Sequence, residues 1–202
     1  MKKNIAKPVI GLVGQICAGK SAVAQAFRRQ GARVFDADKV VHEIYIRSET
    51  IEQVRKIFGA GVLNSTGGID RKALGNVVFS NAASLKRLTS EVVFPRTAQA
   101  MLREIQDFQA SEAPALVLDA PTLFEAGREN LCQHIVFVAA PLLRRQEWAR
   151  ARGWKEGEIE RRETNLEDEK AKRLKSDVII GNSGTLEDVD QTVAKLLKSW
   201  AG

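Results

Sequence analysis

The chain is poor in the residues that mark secreted, membrane-spanning or metal-caged proteins. Only two of its 202 residues are cysteine, Cys17 and Cys132, in no CxxC or Cys/His spacing, so neither a disulfide framework nor a zinc site is expected. No apolar run approaches the roughly 20 residues that a bilayer span needs, and the lysine-led opening, residues 1–8, lacks the apolar centre of a signal peptide. A reducing, cytoplasmic setting without a membrane partner is the expectation. Aromatic residues make up 6% of the chain and interleave with no basic stripe, which argues against nucleic acid as the partner. No internal repeat or low-complexity segment occurs. Nothing in the sequence bears on oligomeric state.

What is present suits a compact α/β protein. Apolar residues at 44% and charged residues at 28% are ordinary for one buried core, and a length of 202 suggests a single domain with excursions rather than two independent domains. The net charge of +6 favours acidic ligands, and nucleotide phosphates meet that preference. Residues 8–13 (PVIGLV) form a short β-type run, followed by a glycine-bounded loop and then by residues 21–30, where Val23, Ala26 and Phe27 recur at helical spacing. Gly31 sits at a helix C-cap position, and residues 32–35 read as the next strand. Three later apolar runs, 115–118, 134–139 and 177–180, complete a set of five buried parallel strands. Between the second and third strands the stretch 37–108 is mostly helical, broken by the turn at 64–68 (NSTGG), and reads as a substrate-side insertion. Residues 144–175, dense in Arg, Lys and Glu, read as a solvated helix pair suited to a mobile lid. Residues 186–200 close the chain as an amphipathic helix, with Val189, Val193, Leu196, Leu197 and Trp200 on one face. The resulting division is a core at about 8–38, 113–143 and 176–202, a helical region at about 39–112 and a lid at about 144–175.

The strongest chemical signal is residues 14–21 (GQICAGKS), which satisfy GxxxxGK[ST] directly after an expected strand and before an expected helix. Successive backbone N–H groups at a helix N-terminus make a positive concavity for phosphate oxygens, so Gly14, Cys17, Ala18, Gly19, Lys20, Ser21 and Ala22 are expected to bind ATP. Lys20 reaches the β- and γ-phosphates, and Ser21 is a magnesium ligand. Cys17 is given only backbone binding. Asp36 and Asp38 end the second strand, where open α/β sheets place their ligand crevice, and an extended i, i+2 spacing points both the same way. One is placed to accept a hydroxyl proton from the phosphoryl acceptor; the competing role is to cap a helix starting near Lys39. Asp119, after the run ALVL, has the place of a Walker-B carboxylate holding a water of the magnesium shell, and Glu125 either supports that site or opens a helix. Arg144, Arg145, Arg150 and Arg152 are the lid arginines available to neutralise a transferring phosphoryl group. His42 and His134 match no partner pattern and are read as core or surface histidines.

At this level the chain resembles the dephospho-coenzyme A kinase family over nearly its whole length. The segments IGLVGQICAGKS, VFDAD, GGIDRKALGNVVF, LDAPTLFEAG and SDVIIGNSG carry the resemblance, in family order. It implies a P-loop kinase core with a helical coenzyme-binding part and a lid. It also implies ATP with magnesium as donor and dephospho-coenzyme A as acceptor, phosphorylated on its ribose 3′-hydroxyl in the last step of coenzyme A synthesis. Asp38 would be the base, Asn182 and Gly184 would lie near the adenine, and Asp36, Asp70, Arg71, Pro95 and Glu125 would face the acceptor. In the lid, Arg145, Trp148 and Arg152 fall on a QxxRxxxR pattern, leaving Arg152 as the catalytic arginine in register, while Arg144, Arg145 or Arg150 could stand in for the other. Phe94 precedes Pro95 where the family usually has histidine. Two alternatives stay open: another small-molecule or nucleotide kinase on the same core, or a divergent homologue that binds nucleotide with weak or no catalysis.

Overall fold

The computed structural model describes residues 7–164 and 168–200. The opening residues 1–6, the lid residues 165–167 and the last two core residues lie outside the described part. Five strands, β1 (Val9–Gly14), β2 (Arg33–Asp36), β3 (Leu116–Asp119), β4 (His134–Ala139) and β5 (Val178–Gly181), form one parallel sheet in the order β2-β3-β1-β4-β5. β1 is central, so the loop leaving its carboxyl end lies mid-sheet. Its residues Val9, Ile10, Leu12 and Val13, like Leu116, Val117 and Leu118 of β3, are almost fully buried, as strands covered on both faces must be.

Four of the five strands end one residue later than the apolar runs suggest. Ladder hydrogen bonds are made by the backbone and ignore side-chain polarity, so Gly14, Asp36, Asp119 and Gly181 close their strands although none is apolar.

Helix α1 (Lys20–Arg29) turns Val23, Ala24, Ala26 and Phe27 inward and stops at Gly31, whose φ of +84° suits the left-handed residue after a helix, with Ala32 N donating to Phe27 O at 3.0 Å. Phe27 is fully buried, worth roughly 1.5–3 kcal/mol of transfer free energy. It shares a core with Ile10, Leu12, Val136, Val138, Ile180 and, from the closing helix (Leu186–Trp200), Val189 and Val193. Trp200 of that helix stacks on His134 with ring centroids 4.2 Å apart.

Contacts divide the chain into two compact units, Met1–Asp36 with Glu104–Gly202, and Ala37–Arg103. The second contains α2 (Ala37–Tyr45), α3 (Ser48–Phe58), α4 (Arg71–Phe79), α5 (Ala82–Arg87) and the first turns of α6 (Phe94–Gln109). Its own core gathers Val54, Val62, Leu74, Val78, Leu88 and Val92. Between α5 and α6 the helix widens to a π stretch at Leu88–Val93, just ahead of Pro95. Proline has no N–H for the Glu91 carbonyl four residues back, and Gln53 Nε2 donates to that carbonyl instead, at 3.0 Å. In the first unit, β4 is followed by α7 (Leu142–Ala151), α8 (Glu158–Glu163) and α9 (Glu169–Leu174), three helices where the sequence suggests a pair. The closing helix is α10. Among the described residues, no helix is long and apolar enough to cross a membrane.

Candidate active site

The loop 14–21 leaves the end of β1 and enters α1 at Lys20. Gly19 is the N-cap, in the left-handed region at φ +80°, and it supplies no side-chain cap. Among the described residues, the backbone N–H groups of Ile16, Cys17, Gly19, Lys20 and Ser21 donate to no backbone carbonyl. This is a row of open donors at the positive end of a helix dipole, which is what phosphate oxygens require. Two expected donors are already engaged: Ala18 N donates to Gln15 O at 3.2 Å and Ala22 N to Gly19 O at 2.8 Å. Gln15 N closes the first turn on Val138 O at 3.1 Å. Cys17 has φ +58°, the one positive value at a non-glycine residue among those described.

Lys20 Nζ is ion-paired with the carboxylate of Asp119, both side chains being largely buried. Asp119 is the last residue of β3 and stands in register with Asp36 on β2, so two carboxylates sit side by side at the carboxyl edge of the sheet. Ser21 is exposed in the first turn of α1. A serine hydroxyl and a carboxylate are hard oxygen donors of the kind magnesium accepts while keeping waters and phosphate oxygens in its remaining positions.

Asp38 departs from expectation. The strand ends at Asp36 and α2 begins at Ala37, so Asp38 is helical and exposed, and the extended i, i+2 argument does not apply to it. One turn along α2, His42 Nδ1 donates to the Asp38 carbonyl at 3.1 Å, which leaves Nε2 as acceptor for the Arg71 guanidinium. His42 is thus tied to Arg71 rather than isolated. Asp70 caps α4, its Oδ1 accepting from Lys72 N at 2.9 Å and Ala73 N at 3.0 Å, and so fixes the helix start that carries Arg71. Burial raises the Tyr45 hydroxyl above its ordinary pKa, partly countered by the charge of Arg71. Pro95 is exposed in the first turn of α6.

The arginines after β4 separate by environment. Arg144 is exposed and faces Glu147 at 3.5 Å, and Arg150 is exposed. Arg145 is buried, its Nη1 donating to Glu163 Oε1 at 2.6 Å and to Ile16 O at 3.2 Å, so it is not free to serve as a replacement phosphate ligand. Arg152 Nη1 lies 3.2 Å from Cys17 Sγ, at the phosphate loop itself. Lys172, equally buried, donates to Glu125 Oε1 at 2.7 Å, so Glu125 holds α9 rather than opening a helix; residues 121–127 are turns. Glu169 accepts from Gln15 Nε2 at 2.9 Å. Burial alone would raise the Glu169 carboxyl, but bonds from Gln15 and Arg173 outweigh it and hold the group below its ordinary pKa. A cavity of about 200 Å³ beside Gly14, Gln15 and Ile16 is lined by Glu163, Asp168, Glu169 and Lys172, an acidic lining that suits no phosphate.

Asn182, just past β5, is buried, and its Nδ2 donates to Ala18 O at 2.9 Å. Gly184 is exposed two residues on. Arg145, Gln15, Glu163 and Asn182 as supports of the loop were not readable from any motif; their partners lie 18 to 164 residues away.

A five-stranded parallel sheet whose central strand leads through this loop into a helix is the fold of the P-loop kinases, and it assigns the chain to that class. The family model for dephospho-CoA kinase (CoaE) matches residues 8–188. A dephospho-CoA kinase of Aquifex aeolicus is 37% identical over 190 residues, 93% of this chain and 94% of the relative. A Thermus thermophilus crystal structure superimposes with a TM-score of 0.82 at 33% identity, covering 97% of this chain and 99% of the other, and dephospho-CoA kinase from Campylobacter jejuni with 0.70 at 25%, covering 96% of each. The chain belongs to the dephospho-CoA kinase family.

Proposed function

We propose that this chain transfers the γ-phosphoryl group of ATP to the ribose 3′-hydroxyl of dephospho-coenzyme A, giving coenzyme A and ADP. The observation that carries the reading is the open-amide loop with its Lys20–Asp119 pair, in a chain whose family membership spans residues 8–188. The ribose oxygen attacks the γ-phosphorus, the bond from that phosphorus to the β,γ-bridging oxygen breaks, and the hydroxyl proton passes to the Asp38 carboxylate. The open N–H groups and Lys20 hold the β- and γ-phosphates; Lys20 exchanges its bond to Asp119 for the incoming phosphate oxygens. Ser21 and Asp119 would hold magnesium, which when bound supplies positive charge to the phosphate oxygens. There the Asp119 carboxylate would hold a water of the magnesium shell in place of its bond to Lys20.

Arg152 is the lid arginine best placed to neutralise the transferring group, because it already reaches the loop at Cys17. Asn182 and Gly184 are assigned to the adenine end. Arg71, held by His42 and by the Asp70-capped helix start, and Pro95 are assigned to the acceptor, as is Asp36. Glu125 contributes through Lys172. A panel of acceptors tests the reading: dephospho-coenzyme A should give a kcat/KM at least ~100-fold above gluconate, shikimate or nucleoside monophosphates, a difference of ~2.7 kcal/mol in transition-state binding. A better rate with any of the others would overturn the acceptor. ATP binding with no ADP release from any of them would favour a binding homologue.

A further inference from the structure

The phosphate loop is held from outside by side chains that its motif does not contain. Arg145 Nη1 donates to the Ile16 carbonyl at 3.2 Å while also bonding Glu163, and Asn182 Nδ2 donates to the Ala18 carbonyl at 2.9 Å. Both donors belong to residues only 6% exposed, so their side chains are largely withdrawn from water. Every described peptide bond is trans, and in a trans peptide the C=O and the following N–H point in opposite directions. Holding the Ile16 carbonyl toward Arg145 therefore turns Cys17 N–H the other way, and holding the Ala18 carbonyl toward Asn182 turns Gly19 N–H the other way. These are two of the loop's open donors. The loop also needs such support: Cys17 keeps a left-handed φ of +58° that an L residue with a side chain resists, and Gln15 and Cys17 stand where glycine would let the backbone settle unaided.

We infer that Arg145 and Asn182 are positioning residues that fix alternate peptides of the phosphate loop and so aim the amides of Cys17 and Gly19, with Glu163 steadying Arg145; the inference rests on the loop being the ATP site. Neither side chain touches phosphate in this role. Arg145 is set apart from Arg152 by it: one orients the loop, the other answers the charge of the transferring group.

The test uses the full chain and steady-state kinetics on R145M, R145K, N182D and E163Q, with thermal midpoints measured alongside. R145M and N182D are expected to raise KM for ATP by ~10-fold, the order of one lost bond to a buried carbonyl, while KM for dephospho-coenzyme A stays within ~2-fold. R145K, whose ammonium can donate to both Ile16 O and Glu163 but from a shorter stem and without the planar guanidinium, should recover part of the loss, and E163Q should show a smaller rise. If R145M does not fold, R145K and E163Q carry the measurement, because Asn182 is also assigned to the adenine end and a rise in N182D alone does not separate the two roles. Unchanged KM for ATP in the folded variants overturns the inference. So does an equal rise in both KM values with a lowered midpoint, which marks general fold support, or a loss of kcat of ~1,000-fold with KM for ATP unchanged, which makes Arg145 a phosphate ligand. K20A is run in parallel: if it still turns over ATP, the reading of the loop itself has failed; if it is inactive while R145M and N182D behave as wild type, only the positioning roles have failed.

Discussion

The carboxamide of Asn182 stands where a side chain on Gly19 would have to go. An ideal Cβ on Gly19 would lie 2.1 Å from Asn182 Nδ2 and 3.6 Å from the Trp148 ring, and the residue keeps φ at +80°. A left-handed φ costs an alanine ~1–2 kcal/mol, and pushing Asn182 aside leaves the Ala18 carbonyl buried without its donor, a further ~1–3 kcal/mol. Gly19→Ala should therefore lower the thermal midpoint by several degrees and weaken ATP binding together; calorimetry and an ATP titration on the same variant check both. An alanine variant with wild-type midpoint and affinity would mean the two residues are not in contact.

Asp119 is ion-paired with Lys20, and the proposed reaction gives the same carboxylate to the magnesium shell. Asp119→Asn removes a carboxylate from a largely buried pair, leaving the Lys20 ammonium without that counter-charge, and weakens the metal site. The magnesium concentration for half-maximal rate should rise ~10-fold or more, and chelation with EDTA should stop turnover of the wild-type chain. A variant with unaltered magnesium dependence would remove Asp119 from the metal site.

Asp38→Asn keeps the shape of the side chain and removes its capacity to take a proton. General-base catalysis contributes ~10²–10⁴ in rate, so kcat should fall by that order while KM for ATP stays nearly constant. Near-normal turnover at saturating substrates would reassign the base, and Asp36, two residues earlier at the end of β2, is the next carboxylate to examine.

These predictions draw on a site that was only partly readable from the sequence. The five strands follow from short apolar runs and the loop 14–21 from a motif set between a β-type run and a helical one, because such patterns are local and periodic, and the run 115–118 puts Asp119 at its strand end. Residues 32–35 read as a strand, and extending it through Asp38 is what points both aspartates the same way, yet the turn into α2 comes immediately after Asp36, where no proline or glycine announces it. Arg145 and Lys172 looked like solvated charges in a stretch rich in Arg, Lys and Glu. Whether a cation is solvated or buried depends on a carboxylate delivered by tertiary folding, Glu163 for one and Glu125 for the other, and helical periodicity carries no record of that pairing. His42 was passed over for the same reason: its partner, Arg71, is 29 residues away.

Cys132 gives a prediction independent of catalysis. Burial first, and the charge of Glu129 second, push the Cys132 thiol up to about 12, so at pH 8 only about one part in 10⁴ is thiolate, the form that reacts. Iodoacetamide at pH 8 should leave Cys132 unmodified in the native chain and alkylate it readily in 6 M guanidinium chloride, as peptide mass spectrometry would show. Rapid native labelling at Cys132 would contradict its burial beside β1.

The proposed reaction is read out by incubating the chain with ATP, magnesium and dephospho-coenzyme A and following ADP together with the phosphorylated product. One ADP should be released per coenzyme A formed, with the new phosphate on the ribose 3′-oxygen and no product with K20A. ADP release without a 3′-phosphorylated product, or product formation undiminished in K20A, would contradict it.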